Sequence, residues 1–387
     1  MANFDILCDA NYIVESYNKS KQGVIWKYNV QQYGLNLLKN VNRMIKDLQN
    51  GKYKFHPFTE FIINERGRTR KIKAMDIEDR VLLRNLCDNI LVPSVQSKII
   101  YDNGASVKGK GIDFTKRRFE THLHKFYREH TSNDGYILLL DFSKFFDNIR
   151  HDMLIEMFEE LIDDERVMDI IRQAIDMFKI DVSYMSEAEY DDCLNQLFNT
   201  LEYYYVPDSS IKESEKKYMR KSLGIGSQIS QIAGIYFPHR IDNFCKIVKG
   251  IKFYGRYMDD IYIIHEDKEY LHNLLEEIKE ESKKYGLFIN EKKTQIKKIN
   301  KTFVFLKTRY RLSETGKIIK RVNKDSVTRE RRKLKSFKKQ IDNGTMDIKY
   351  AKNHFKTWLG TMDKYMSYNT KENMKKEFKN IFGRYYR

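Results

Sequence analysis

The fold is decided by one stretch of the sequence, Phe253-Tyr254-Gly255-Arg256-Tyr257-Met258-Asp259-Asp260-Ile261-Tyr262-Ile263-Ile264. Aromatic and β-branched residues on both sides of the two acids predict two strands that meet at a tight turn. The acids therefore lie at the tip of a hairpin. Two ionised carboxylates in one turn repel each other, and a raised pKa or a bound cation relieves that repulsion. A solvated Asp-Asp turn is the alternative, which the apolar flanks disfavour.

A third acid follows a predicted buried strand. The apolar run Tyr136-Ile137-Leu138-Leu139-Leu140 ends at Asp141, as expected of a central strand that delivers a carboxylate at its carboxyl end. Three carboxylates from two strands can hold two divalent cations about 3.5–4 Å apart, which stabilise the attacking and leaving oxygens of phosphoryl transfer. Hard oxygen ligands favour Mg²⁺ or Mn²⁺. The sequence therefore predicts polymerase chemistry.

Composition and charge limit the class of protein. The 387 residues contain no apolar run long enough for a membrane span, and Met1–Asn11 has two acids, so we expect a cytoplasmic protein without a signal peptide. The cysteines are far apart in sequence, which predicts reduced thiols: Cys8, Cys87, Cys193 and Cys245. Residues 301–387 hold 25 Lys and Arg against 8 Asp and Glu, and so carry the whole net charge of +17. Such a basic segment predicts binding to the phosphate backbone of a nucleic acid. A solvated basic helix is the alternative.

Two motifs carry a resemblance to a known family. Tyr257-Met258-Asp259-Asp260 is similar to the signature of reverse transcriptases, and residues 141–149 resemble the first catalytic motif of that family. Further segments follow in the family's order over about residues 60–360. The resemblance implies an RNA-directed DNA polymerase with an α+β right-hand fold. Its parts would be N-terminal helices and fingers in 1–135, a palm in 136–312, and a basic helical thumb in 313–387.

The resemblance also implies catalytic and metal-binding residues. The catalytic set is Asp141, Asp259, Asp260 and Lys293, and the ligands of two Mg²⁺ ions, or of Mn²⁺, are the three aspartates and Phe142. Lys293, in a segment similar to the next palm motif, either protonates the leaving pyrophosphate or neutralises charge. Asp147 is interpreted as structural, in a turn or as the cap of a helix over 151–162.

Nucleotide-binding residues are expected in several segments. The basic turn at 65–73 resembles the fingers hairpin that folds over the incoming nucleotide. Phe146 stands where the family keeps a bulky side chain that clashes with a ribose 2′-hydroxyl, although core packing is its alternative role. Residues 222–231 resemble the loop beside the templating pair, leading into a helix towards Val248, but Ile225 replaces a common Gln. The expected set is Arg70, Lys73, Phe146, Gly226, Ser230, Gln231, Tyr257 and Met258.

Contacts with nucleic acid are expected in the loop 103–111, in a hairpin at 304–310 that resembles the one holding the primer, and in thumb helices over 326–341 and 351–366. Further helices are predicted up to Asn50-Gly51 and over 76–92, 114–130 and 269–285. The expected nucleic-acid-binding residues are Lys108, Lys110, Arg329, Arg331, Arg332, Lys335, Lys338, Lys339 and Trp358.

The biological role is open at this point. Residues 180–216 form an acidic, tyrosine-rich insertion, interpreted as a surface elaboration for a partner. Residues 225–231 are similar to enzymes of diversity-generating retroelements, and antiphage defence is the other role considered. Expected partners are a structured non-coding RNA template, the DNA product, dNTPs, and an accessory protein or a second copy. Alternatives are a template-independent or protein-primed DNA polymerase on the same palm, and a catalytically silent RNA-binding scaffold.

Overall fold

Four helices occupy most of residues 4–49, as the apolar spacing predicts. A computed structural model describes residues 4–65, 67–203 and 210–383. The second helix begins after Asp9, whose carboxylate accepts hydrogen bonds from the backbone N–H groups of Asn11 and Tyr12. The predicted stop is confirmed, because the fourth helix ends at Gln49 and Gly51 takes a φ of +64°. These helices are α1 (Phe4–Leu7), α2 (Ala10–Ser20), α3 (Tyr28–Leu35) and α4 (Leu37–Gln49).

The basic hairpin and the helix after it are also confirmed. Strands β1 (Thr59–Glu65) and β2 (Arg68–Ala74) pair antiparallel with Ile63 opposite Arg70, while Arg66 lies outside the described residues. The predicted helix at 76–92 begins at its cap, Asp76, and continues past its expected end through a π-helical turn to Gln96. The helices here are α5 (Ile77–Leu86), α6 (Val92–Gln96) and α7 (Ile112–His130).

Two strands of the central sheet carry the acids. The predicted strand is confirmed as β3 (Tyr136–Leu140). The elements that follow it are α8 (His151–Glu159), α9 (Glu165–Asp176), β4 (Ile180–Asp181), α10 (Glu187–Asn195), β5 (Tyr218–Met219), α11 (Gln228–Tyr236), α12 (His239–Asn243), β6 (Phe253–Tyr257), β7 (Asp260–His265), α13 (Lys268–Lys284) and β8 (Gln295–Lys298). The sheet has the order β6-β7-β3-β8. Helix α13 confirms the amphipathic segment, since Leu271, Leu274 and Ile278 are buried.

The helix predicted to run from the 222–231 loop to Val248 is interrupted, and that expectation was wrong. Helix α11 ends at Tyr236, and Pro238 follows. Proline has no backbone N–H, so it cannot donate to the Gly234 carbonyl four residues earlier. Helix α12 then leads into a π-helical turn over Phe244–Val248.

The insertion at 180–216 contains a small core of its own, although residues 204–209 lie outside the described residues. Val182, Met185, Cys193, Phe198 and Met219 are buried together. The fully buried Lys221 donates to the carbonyls of Cys193, Leu194 and Gln196 at 3.0, 3.1 and 2.6 Å, at the end of α10. A lysine at a helix C-terminus satisfies carbonyls that the helix leaves without partners. Lys221 therefore anchors the end of α10, although most residues of this helix are exposed.

Basic helices end the chain. After the hairpin of β9 (Phe303–Phe305) and β10 (Thr308–Leu312) come β11 (Ile318–Val322), α14 (Lys324–Asp342), α15 (Ile348–Met362) and α16 (Tyr368–Phe382). The expected hairpin and two of the helices are confirmed, whereas α16 was not predicted. The apolar faces of α14, α15 and α16 form one core around Leu334, Phe355 and Phe378. In the described part of the chain, no helix combines the length and apolarity needed to cross a bilayer.

The chain divides into two compact units, each made of three chain segments. The first comprises Met1–Thr115, Leu140–Tyr262 and His272–Thr294, and it contains the three predicted catalytic acids. The second comprises Lys116–Leu139, Ile263–Leu271 and Gln295–Arg387, and it contains the basic helices. The expected α+β class is confirmed, because helices accompany antiparallel strands. The division into fingers, palm and thumb stays a prediction.

Candidate active site

The paired acids lie at a hairpin tip, as the sequence predicts. Strand β6 ends at Tyr257 and β7 begins at Asp260, so Met258 and Asp259 make the connection. Met258 takes a φ of +58°, in the left-handed region that non-glycine residues seldom adopt. The turn therefore needs support from its surroundings to keep this shape.

Asp141 lies just after β3 and is 6 % exposed. Its carbonyl accepts a hydrogen bond from the Asn290 N–H at 2.7 Å, and Ser143 N–H donates to the Phe288 carbonyl at 2.7 Å. These bonds join the first catalytic segment to the segment that carries Lys293. The Lys293 ammonium, which is half exposed, donates to the Asp141 carboxylate. The structure thus brings two predicted catalytic residues into direct contact.

The aspartates interact through their charges. Burial, followed by the negative charges of Asp260 and Asp141, raises the pKa of Asp259 to about 7. A hydrogen bond between the carboxyls of Asp259 and Asp141 contributes to the same shift. Such mutual repulsion is relieved by one proton or by a cation held between the carboxylates.

The three acids do not form a closed cage. Across residues 4–65, 67–203 and 210–383, no three Asp, Glu, His or Cys side chains converge on one ion position. Lys293 pairs with Asp141, and burial with the neighbouring charges raises the pKa of Asp259 to about 7. Carboxylate oxygens are nevertheless the donors that Mg²⁺ and Mn²⁺ prefer, so the pair of Asp141 and Asp259, with Asp260 adjacent, fits a hard cation. Phe142, also expected as a ligand, is buried and stacks on Phe145 at 5.5 Å.

Phe146 and Met258 meet over one glycine of α11. A Cβ atom added at Gly234 would lie 2.9 Å from the Met258 sulfur and 3.1 and 3.2 Å from the Phe146 ring. Glycine in a helix interior lowers stability, so its presence here matches the close approach of these two side chains. Ser230 lies one turn earlier on the same face of α11 and is buried, while Gln231 is exposed.

The loop over residues 222–231 is hydrogen-bonded to the backbone of Phe146. Leu223 N–H donates to the Phe146 carbonyl at 2.8 Å, and Gly226 takes a φ of +108°. Gly224 lies against the Phe178 ring and the Lys73 side chain. These contacts therefore form a chain from Lys73 on β2, through the loop 222–231 and Phe146, to Met258. Arg70 lies three residues before Lys73 on the same strand.

Lys73 is largely covered by aromatic rings, with 15 % of its side chain exposed. Its ammonium lies over the rings of Phe58 and Phe178 at 5.5 and 5.9 Å and donates to the Phe178 carbonyl at 3.4 Å. Burial lowers the pKa of Lys73 to about 8, against the opposing effect of Glu60. A lysine with this pKa changes charge within the working range of an enzyme.

Asp147 makes a structural contact, in agreement with its interpretation, but it does not cap a helix. It belongs to a 3₁₀ turn over Phe145–Asn148, and Thr200 donates to its carboxylate at 3.0 Å. The residue before α8 is Arg150, which makes no side-chain cap bond. Asp147 therefore joins the first catalytic segment to the insertion.

Several predicted nucleic-acid-binding residues already have protein partners. Lys110 donates to the carbonyls of Tyr101 and Asn103 at 2.6 and 3.3 Å and so holds its own loop together. In α14, Arg331 pairs with Glu377 at 2.7 Å and Lys338 pairs with Asp342 at 2.5 Å. Trp358 is half-buried and packs on the α14–α16 core. The exposed members of the set are Lys108, Arg329, Arg331, Arg332, Lys335 and Lys339.

Two residues near the turn were missed by the sequence analysis. Gly234 had no assigned role, although a glycine inside an apolar helix signals a close approach. Arg256 was quoted in the deciding stretch without a function. A charged residue within a buried strand, three positions before an acid pair, was the available signal.

The comparison with known families decides which protein family the chain belongs to. Residues 62–309, more than half of the chain, match the family model described as reverse transcriptase (RNA-dependent DNA polymerase). The chain belongs to the reverse transcriptase family. This reverse transcriptase is accordingly an RNA-directed DNA polymerase, a nucleotidyltransferase that acts on an RNA template and dNTPs and makes DNA. Polymerases of the family generally use divalent metal ions. A comparison with curated proteins gave no match.

Proposed function

We propose that this reverse transcriptase joins dNTPs to a primer with two Mg²⁺ ions bound by Asp141, Asp259 and Asp260. One observation carries the proposal: Asp141, at the end of β3, interacts with Asp259 in the turn before β7, where burial and the charges of Asp260 and Asp141 raise the pKa of Asp259 to about 7. Two cations held by these carboxylates would supply activation of the primer 3′-hydroxyl and neutralisation of the triphosphate. Lys293, which pairs with Asp141, supports a charge-neutralising role over proton donation to pyrophosphate.

The protein's own contribution is then positioning and charge. Burial excludes water around Asp141, and the turn at Met258, with its left-handed backbone, presents Asp259 and Asp260 together. Lys73 and Arg70 on β2 are proposed to bind the triphosphate, since cations on a hairpin suit phosphate oxygens. Gly226, Ser230, Gln231 and Tyr257 complete the proposed nucleotide site, with Phe146 and Met258 under the sugar.

The role that we infer is copying of a dedicated structured RNA in antiphage defence or in a retroelement, in the cytoplasm. The similarity of residues 225–231 to diversity-generating retroelement enzymes supports the second setting. The acidic insertion around α10 is the proposed contact for an accessory protein or a second copy. We also propose the fingers as 1–135, the palm as 136–312 and the thumb as 313–387, with the exposed cations of α14 on the nucleic-acid backbone.

Template use is tested by primer extension followed by sequencing of the product. We expect product that is complementary to a supplied RNA, and little product when RNA is omitted. Purification from the native host and sequencing of the bound RNA identify the natural template. Equal synthesis with and without RNA would instead support the template-independent alternative, and no incorporation under any condition would support the silent scaffold.

The charge of Lys73 predicts a pH dependence of nucleotide binding. Because its pKa is lowered to about 8, Lys73 is charged below pH 8 and neutral above it. Triphosphate binding needs the charge, so KM for dNTP should rise about fivefold between pH 8 and 9, as expected for one linked proton. Lys73→Arg keeps its charge throughout and should flatten the profile. A wild-type KM that is constant over this range contradicts the assignment.

A further inference from the structure

Arg256 and Asp242 form an ion pair that is completely shielded from solvent. Both side chains are 0 % exposed. The Arg256 Nε donates to Asp242 Oδ1 at 2.8 Å, and Nη2 donates to Oδ2 at 2.6 Å, which is a two-pronged contact. Burying two charges is unfavourable unless their remaining hydrogen-bonding groups find partners. The partners of the other guanidinium donors therefore show what the pair does.

The remaining donors of Arg256 join a helix end to the acid-bearing turn. Nη2 also donates to the Ile235 carbonyl at 2.8 Å, and Nη1 lies 3.4 Å from the Gly234 carbonyl. Both carbonyls are in the last turn of α11, and the Gly234 carbonyl lacks its helical donor because Pro238 has no N–H. Nη1 donates in addition to the Met258 carbonyl at 3.1 Å. One rigid, planar group thus bonds to both α11 and the turn.

The turn needs this support. Met258 has a φ of +58°, which places an unbranched but bulky residue in a region that favours glycine. Its carbonyl is held by Arg256, and its sulfur packs on Gly234. The next residue along the chain is Asp259. A change in the Met258 backbone would therefore change the direction in which the two acids point.

We propose that Arg256 is a positioning residue that holds the Met258–Asp260 turn at a fixed place relative to α11. Its guanidinium donates to the Asp242 carboxylate and to backbone carbonyls, so it acts on the catalytic acids through the Met258 carbonyl. The inference rests on the proposed function, because it matters only if Asp259 and Asp260 hold the reacting groups. Asp242 keeps the guanidinium charged and oriented while it bridges the two elements.

The chain offers a matched control on the same carboxylate. The Tyr254 hydroxyl donates to Asp242 Oδ1 at 2.5 Å, and among the described residues it has no hydrogen bond to 257–260. Tyr254→Phe therefore removes one buried bond of the network without releasing the turn. Arg256→Lys keeps a positive charge for Asp242, but an ammonium lacks the planar fork that reaches three elements at once.

The test compares Arg256→Lys with Tyr254→Phe in the full-length protein. Three quantities are measured: kcat and KM in primer extension, binding of Mn²⁺ alone by electron paramagnetic resonance, and the melting temperature. For Arg256→Lys we expect kcat to fall by about 100-fold, as for a displacement of about 1 Å, with weaker Mn²⁺ binding and little change in KM for primer-template. For Tyr254→Phe we expect a similar fall in melting temperature with nearly unchanged kcat.

The outcomes separate the two proposals. If kcat and Mn²⁺ binding of Arg256→Lys stay at wild-type values, or if both variants lose activity in proportion to their melting temperatures, positioning by Arg256 is excluded. Full activity of an Asp259→Asn variant would instead exclude the proposed metal site. If Arg256→Lys does not fold, the double variant Asp242→Asn/Arg256→Gln removes both charges together and leaves no unpaired ion. The same loss of kcat is then expected, and its absence has the same meaning.

Discussion

Asp259→Asn is expected to lower primer extension by on the order of 10³-fold or more, because preorganised charge at the reacting groups contributes most to such catalysis. Asparagine has nearly the same shape as aspartate but cannot carry its charge. Asp259 is partly buried, and this burial, together with the negative charges of Asp260 and Asp141, raises its pKa to about 7. The loss should be measured as kcat in single-nucleotide incorporation at saturating Mg²⁺.

Stability distinguishes a catalytic loss from unfolding. A carboxyl with a raised pKa in the folded state binds a proton more tightly there than in the unfolded chain, so stability falls as pH rises from about 4 to 7. The amide introduced by Asp259→Asn carries no charge and avoids that loss of stability. We therefore expect the metal-free variant at pH 8 to melt no lower than the wild type.

Asp147→Asn is the matched control for this prediction. Asp147 is an acid of the same segment as Asp141, and its contact is a hydrogen bond accepted from Thr200. The amide oxygen of asparagine can accept the same bond, so activity should be retained. Comparable losses in Asp147→Asn and Asp259→Asn would show that activity is sensitive to replacing any acid near the site, and would not support a specific role for the Asp259 charge.

Local patterns predicted the elements that carry the acids. The apolar run before Asp141 and the split run around Asp259 specify a buried strand and a hairpin, because strand length and turn chemistry are local properties. The same holds for the fingers-like hairpin and for α13. The basic helix α14 was also predicted, although α16 was missed, since its polar sequence hides the spacing of Met374, Phe378 and Phe382.

Long-range partners could not be predicted in the same way. Nothing near Arg256 in the sequence identifies Asp242 or the end of α11 as its partners, and Lys221 follows its partner Gln196, at the end of α10, by 25 residues. The two units are each assembled from three chain segments, which a sequence read in order does not reveal. Residue roles that depend on such contacts could be recognised only in the structure. Lys110 and Trp358 were expected to bind nucleic acid, but Lys110 bonds to its own loop and Trp358 packs on the α14–α16 core.

The second large effect is expected at Phe146. Phe146→Ala should reduce discrimination against ribonucleotides by about 10- to 100-fold, because the predicted clash with the 2′-hydroxyl disappears. The ring is half-buried and packs against Gly234 beside Met258, so it is held at the turn that carries Asp259. The measurement is the ratio of kcat/KM for a dNTP and the matching rNTP on one primer-template.

Phe145→Leu separates a sugar gate from core packing. Phe145 is 4 % exposed and stacks on Phe142, so its truncation should lower the melting temperature without changing the dNTP to rNTP ratio. If Phe146→Ala lowers kcat/KM equally for both nucleotides and melts early, its ring is a core residue. A ratio that changes only in Phe146→Ala identifies the ring as the surface that excludes ribose, because loss of packing alone cannot distinguish two sugars that differ by one hydroxyl.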